Sequence, residues 1–142
     1  MFKRILVALD HSKADSFLLP RVVALAHLTG AELVLLHVST GWAARWQENL
    51  NLTDSQEMKE DREYLEKVSS DLRGDNLKVA ARHARGEPAQ AILDTADAEH
   101  CDLIAMTTHG HRMIADLIHG ETIDQVRHKS NVPLFIVRAG AR

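Results

Sequence analysis

Two segments carry residue types whose spacing points to chemistry, Thr107-Thr108-His109-Gly110 and Gly120-Glu121-Thr122. Glycine lets a backbone approach a phosphate closely, and the free N–H groups of a helix start face an anion. Two glycines bracketing a loop that runs into a helix therefore make a candidate phosphate cradle. Asp10 follows the apolar run Ile5-Leu-Val-Ala-Leu9. A carboxylate there can accept hydrogen bonds from a ribose, or it can help to cap the next helix. His11, His109, His111 and His119 fall near the same place, and imidazoles bind transition metals or contact phosphate. Spread over three segments without a fixed ligand spacing, they define no metal set. Phosphate contact by His111 or Arg112, inside the loop, is the better reading. His27, His83, His100 and His128 read as surface or helix-end residues. The sequence offers no evident nucleophile–base pair and no Lys-Ser/Thr after the glycines, so it does not announce an enzyme.

The elements that must position these residues are legible from periodicity. Ile5–Leu9, Leu33–Val38, Val79–His83, Leu103–Thr107 and Leu134–Val137 are short apolar runs, most of them continuous, as in strands covered on both faces. The segments between them are long enough for helical crossovers, so right-handed βαβ units and a parallel sheet are expected. Ser12 is placed to cap the first helix, Gly30 to stop it in a left-handed turn, and Pro20 to kink it or delay its start. Thr53-Asp-Ser-Gln56 reads as a capping box opening a second helix with Met58, Leu65, Val68 and Leu72 on one stripe, ended by Gly74. Glu57 to Lys67 reads as its solvated face. Glu87-Pro88 opens a third helix, and the last spans about 120 to 129.

Ligands of such a sheet bind beyond the carboxyl ends of the strands, where the winding reverses. The residues expected there are Asp10-His11-Ser12, Val38-Ser39, Ala84-Arg85-Gly86 and Thr107 to Gly110. Length and composition fit one domain, 1–142, with no internal linker. The net charge is −3 with signs interleaved, which disfavours nucleic acid. No apolar run approaches the ~20 residues of a membrane span. The single Cys101 allows no intrachain disulfide and reads as inert packing. Trp42 and Trp46, in a polar loop, read as a local hydrophobic anchor, with closure over the pocket or a partner contact as the alternatives. A cytoplasmic location is expected.

Ile5-Leu-Val-Ala-Leu-Asp10-His-Ser12 resembles the opening strand and aspartate of universal stress proteins. Leu36-His37-Val38 is similar to their second strand, Gly86-Glu-Pro88 to their third turn, Asp102 to Gly110 to their fourth strand and loop, and Asn131 to Arg138 to their closing strand. The resemblance covers nearly the whole chain in order. It implies an α/β fold, a doubly wound five-stranded parallel sheet of order 3-2-1-4-5. It also implies an adenine-nucleotide pocket in which Val38 and Met106 wall the adenine (sheet core being the other reading) and Asp10, with His11 and Ser12, meets the ribose. Gly86, Thr108, Gly110, Gly120 and Thr122 would lie near the ligand. Nucleotide-binding members carry Gly, two residues, Gly, nine residues, then Gly and Ser or Thr. Here Gly110 and Gly120 keep the nine-residue spacing, but Thr107 replaces the first glycine and Glu121 the Ser/Thr. A carboxylate at that place repels terminal phosphates and competes for the helix N-terminus. AMP or ADP, with Mg²⁺ as a companion, is therefore expected over ATP. The resemblance further implies a homodimer through the closing strand, 133–138, and a stress-linked sensor read by an unidentified protein partner. Two alternatives stand beside it, an interaction protein of the same fold without nucleotide and a weak ATP hydrolase.

Overall fold

The computed structural model describes residues 1–40, 51–108 and 120–139, the side chains of 40, 51–55, 57 and 120 excepted. Strands and helices alternate as β1 (Arg4–Leu9), α1 (Asp15–Thr29), β2 (Glu32–Thr40), α2 (Asn51–Gly74), β3 (Val79–Gly86), α3 (Pro88–Ala98), β4 (Leu103–Thr108), α4 (Gly120–Lys129) and β5 (Leu134–Arg138). The sheet is all-parallel in the order β3-β2-β1-β4-β5. The winding reverses between β1 and β4, so the crevice that such sheets use for ligands opens past Leu9 and Thr108.

Alternation along the strands divides their buried apolar side chains between two cores. Ile5, Val7 and Leu9 join Leu33, Leu35, Leu103, Ala105 and Val137 beneath α1 and α2. Leu6 and Ala8 join Val34, Leu36, Val38, Ile104 and Met106 beneath α3 and α4. Two covered faces explain why the strands read as continuous apolar runs. Leu35 and Ile104 are fully buried, one in each core. Truncating either to alanine costs about 2–5 kcal/mol.

Local signals account for most helix ends. Gly30 stops α1 at φ 77°, its N–H bonded to the Ala26 carbonyl. Glu87 caps α3 by accepting from the Gln90 N–H at 2.8 Å, with Pro88 in the first turn. Three expectations are corrected. Ser12 is not the helix cap: the first residue of α1 is Asp15, and Ser12 Oγ instead accepts from the Ala14 N–H in the turn before it. Pro20 does not delay the start of α1 to its own position: the helix begins five residues upstream and includes it. Thr53 lies inside α2, which begins at Asn51, because extending a helix backward costs little once it is nucleated. Among the described residues no helix is long and apolar enough to cross a membrane.

Candidate functional site

The turn between β1 and α1 is organised around a carboxylate that the sequence reading passed over. Asp15, 2% exposed, accepts from the Asp10 N–H at 2.8 Å, the His11 N–H at 2.9 Å and the Tyr64 hydroxyl at 2.6 Å. His11 adopts φ 58°, a left-handed conformation that carries a cost for a side-chain-bearing residue. The paired N–H bonds to Asp15 hold it there. Burial, followed by the Asp15 hydrogen bond and charge, pushes the Tyr64 phenol far above its ordinary value, so it remains a donor. Asp10 is buried, and its Oδ2 accepts from Ser12 Oγ at 3.0 Å.

Around the crevice the structure brings several expected residues together. Asp10 directly follows β1, whose Leu6 and Ala8 belong to the core that holds Val38 and Met106. Val38 and Met106 are 4% and 0% exposed, both inside that core. Thr122 is buried in the first turn of α4 beside Ile123, a member of the same core, and Glu121 is exposed. Thr108 is half-buried and pairs in register with Arg138. Gly86 ends β3 at φ 120°, a conformation that suits glycine. Thr107 departs from expectation: alternation places it on the Ala105 face, under α1, away from Met106. Its hydroxyl is buried without a hydrogen-bond partner among the described residues. Gly110, His111 and Arg112, with His109, His119, Trp42 and Trp46, lie outside the described residues, and Gly120 is placed only as the start of α4.

A second cluster sits on the opposite face of the sheet. His37 of β2 and His83 of β3 are register partners whose rings stack at 5.6 Å. His83 is half-buried there, which corrects its reading as a surface residue. His37 is buried, with Nδ1 3.2 Å from the Leu9 carbonyl and Nε2 3.2 Å from Asp61 Oδ2. Both partners are acceptors, so each favours a proton on the ring nitrogen it faces. Burial alone would depress the His37 pKa; the hydrogen bond and charge of Asp61, with Leu9 and Asp10, outweigh it and raise the value. Burial and the His37 charge lower that of His83. For Asp61, burial is overcome by hydrogen bonds from His37 and His11, which hold its carboxyl below the usual range. His11 stacks on Tyr64 at 4.1 Å and contacts Asp61 Oδ1 through Nδ1. The charged stretch read as a solvated face thus turns Asp61 and Tyr64 inward. The spacing 61, 64, 65, 68, 72 continues the Leu65–Val68–Leu72 stripe by one turn, a signal visible in the sequence. Cys101 is buried, its thiol pushed up to about 11 mainly by burial, as expected for an inert residue.

Comparison with known proteins matches the model of the universal stress protein family over residues 1–138. Universal stress protein MJ0577 of Methanocaldococcus jannaschii is 26% identical, the match covering 97% of this chain and 96% of that protein. YxiE of Bacillus subtilis is 28% identical over 97% of this chain and all of its own. The solved structure of MJ0577 superposes with a TM-score of 0.83 at 27% identity, covering 100% of this chain and 99% of that one. A universal stress protein from Archaeoglobus fulgidus, solved in complex with dAMP, shares the fold at a TM-score of 0.69 and 22% identity, covering 95% and 97%.

Proposed function

Because the chain belongs to the universal stress protein family, we propose that it binds an adenine nucleotide in the crevice between β1 and β4. It would do so as a stress-linked cytoplasmic sensor rather than as an enzyme. The observation that carries this reading is that Val38, Met106 and Ile123 of α4 share one core, while Asp10 directly follows β1, beside which the winding reverses. A relative of the same fold has been solved with dAMP, which supports the ligand class. In this reading Val38 and Met106 wall the adenine, and Asp10 accepts from the ribose, with Ser12 and the backbone of His11 beside it, the His11 ring being turned to Asp61 and Tyr64. The start of α4, from Gly120 to Thr122, receives phosphate, assisted by Gly110, His111 and Arg112. Glu121, exposed at that helix start, opposes added phosphates. At a few Å each like-charge pair costs about 1–4 kcal/mol between the dielectric of water and that of a protein surface. AMP or ADP is therefore favoured over ATP, with Mg²⁺ arriving on the nucleotide.

Association into a homodimer through β5 belongs to the same proposal. β5 is an edge strand, and its Ile136 is 38% exposed. An apolar residue on an open edge invites pairing. Phe135, by contrast, packs on the core under α1, so Ile136 is the side chain through which to test the interface. Mass spectrometry of nucleotide released from the freshly purified protein tests the ligand. Adenine nucleotide in near-stoichiometric amount supports the proposal. A second reading, an interaction protein without nucleotide, is favoured by Glu121 and by the burial of the Thr107 hydroxyl away from the crevice. It gains if the protein neither carries nucleotide nor takes up added AMP, ADP or ATP.

A further inference from the structure

We propose that His37, Asp61 and His83, with His11 at the rim, form a binding site for a divalent transition-metal ion of the zinc kind, on the sheet face opposite the nucleotide crevice. One ligand atom from each of the first three lies within 4.8 Å of the other two. The His37 Nε2 to Asp61 Oδ2 distance of 3.2 Å is close to the edge of a tetrahedron about zinc, about 3.3 Å for bonds of about 2.0–2.1 Å. Two imidazoles and a carboxylate form a set that suits zinc and its neighbours better than magnesium or calcium, which prefer all-oxygen sites.

The surroundings supply the orientation that such ligands need. His37 donates its Nδ1–H to the Leu9 carbonyl, which leaves Nε2 as the coordinating atom and fixes the ring. Ser39 Oγ lies 2.9 Å from His83 Nε2 and steadies that ring from the same strand as His37. Asp61 descends from α2, so an ion here ties that helix to the ends of β2 and β3. The side chain of His37 is 5% exposed, that of Asp61 19% and that of His11 34%, a gradient that leaves an entry path past His11. On binding, the Nε2 proton of His37 passes to solvent and the ion takes its place between His37 and Asp61.

The test is equilibrium titration of chelator-stripped protein with Zn²⁺ against a competing chelator, with Co²⁺ as a spectroscopic stand-in. The parent should bind one equivalent and give the intense visible bands of four- or five-coordinate cobalt. His83→Ala and Asp61→Asn should each weaken zinc binding by about tenfold or more. His128→Ala, an exposed histidine of α4, should bind as the parent does. Asp61→Asn leaves His37 without its counterion, so if that variant fails to fold, His83→Ala alone decides. A parent that takes up no stoichiometric zinc at micromolar protein, or a folded His83→Ala with the parent's affinity and spectrum, overturns the proposal. No nucleotide enters these readouts, so they stand or fall separately from the nucleotide crevice.

Discussion

Replacing Asp15 by alanine should destabilise the protein more than any single exposed substitution. The carboxylate gathers three donors: the Asp10 N–H, the His11 N–H and the Tyr64 hydroxyl, at 2.6–2.9 Å. Hydrogen bonds to a charged group are worth about 1.5–3 kcal/mol each. Water can reach the part-buried His11 N–H and Tyr64 hydroxyl once the carboxylate is gone, so the sum is not fully realised. A loss of roughly 3–5 kcal/mol is expected, or about 10–15 °C in Tm for a domain of this size. Tyr64→Phe removes one of the three bonds and should cost about 1.5 kcal/mol. Because Tyr64 acts here through Asp15, the double variant should cost little more than Asp15→Ala alone. Urea denaturation of the four proteins measures this. If Asp15→Ala costs under about 1 kcal/mol, or if the two substitutions add in full, the account of this turn is wrong.

Three further outcomes follow from the geometry. Glu121→Ser should tighten ATP about tenfold more than AMP, since about 1.4 kcal/mol of removed repulsion and added hydrogen bonding is a factor of ten; parallel changes for both nucleotides in calorimetry would reject the repulsion. Ile136→Glu should shift sedimentation toward monomer while leaving the thermal transition within about 0.5 kcal/mol of the parent, as surface substitutions usually do; a parent that is already monomeric at micromolar concentration refutes the interface. Thr107→Val should stabilise the fold by about 1–2 kcal/mol, because it removes a buried hydroxyl that has no partner among the described residues; a lower denaturation midpoint would mean that the hydroxyl is bonded after all.

The fold was legible because both faces of the sheet are covered. Continuous runs such as Leu33–Leu36 and Leu103–Met106 then stand out, and Gly30 and Glu87-Pro88 mark their helix ends by local rules. Of the proposed crevice, Asp10 and Val38 were legible from their places at strand ends, and the family resemblance supplied their roles and added Met106. The histidine cluster was not, because its members come from the β1–α1 turn, β2, α2 and β3 and meet only through register. His37 and His83 are 46 positions apart and become neighbours through the pairing of Leu33 with Val79. The role of Asp15 was not legible because it reaches back to the Asp10 and His11 N–H groups and across to Tyr64, contacts set by the left-handed backbone at His11 and by the packing of α2.

The most direct test of the central claim is calorimetric titration of AMP into the parent and into Asp10→Ala. Asp10 directly follows β1, and the Asp15 carboxylate holds its backbone N–H, so the turn should keep its shape when the Asp10 side chain is removed. The parent should bind AMP saturably at one per chain, and the variant should bind it at least about tenfold more weakly, the loss of roughly 1.4 kcal/mol expected for a ribose hydrogen bond to a carboxylate. A parent that binds none of AMP, ADP or ATP at millimolar concentration, or a folded variant that binds AMP as tightly as the parent, would contradict the assignment of the crevice.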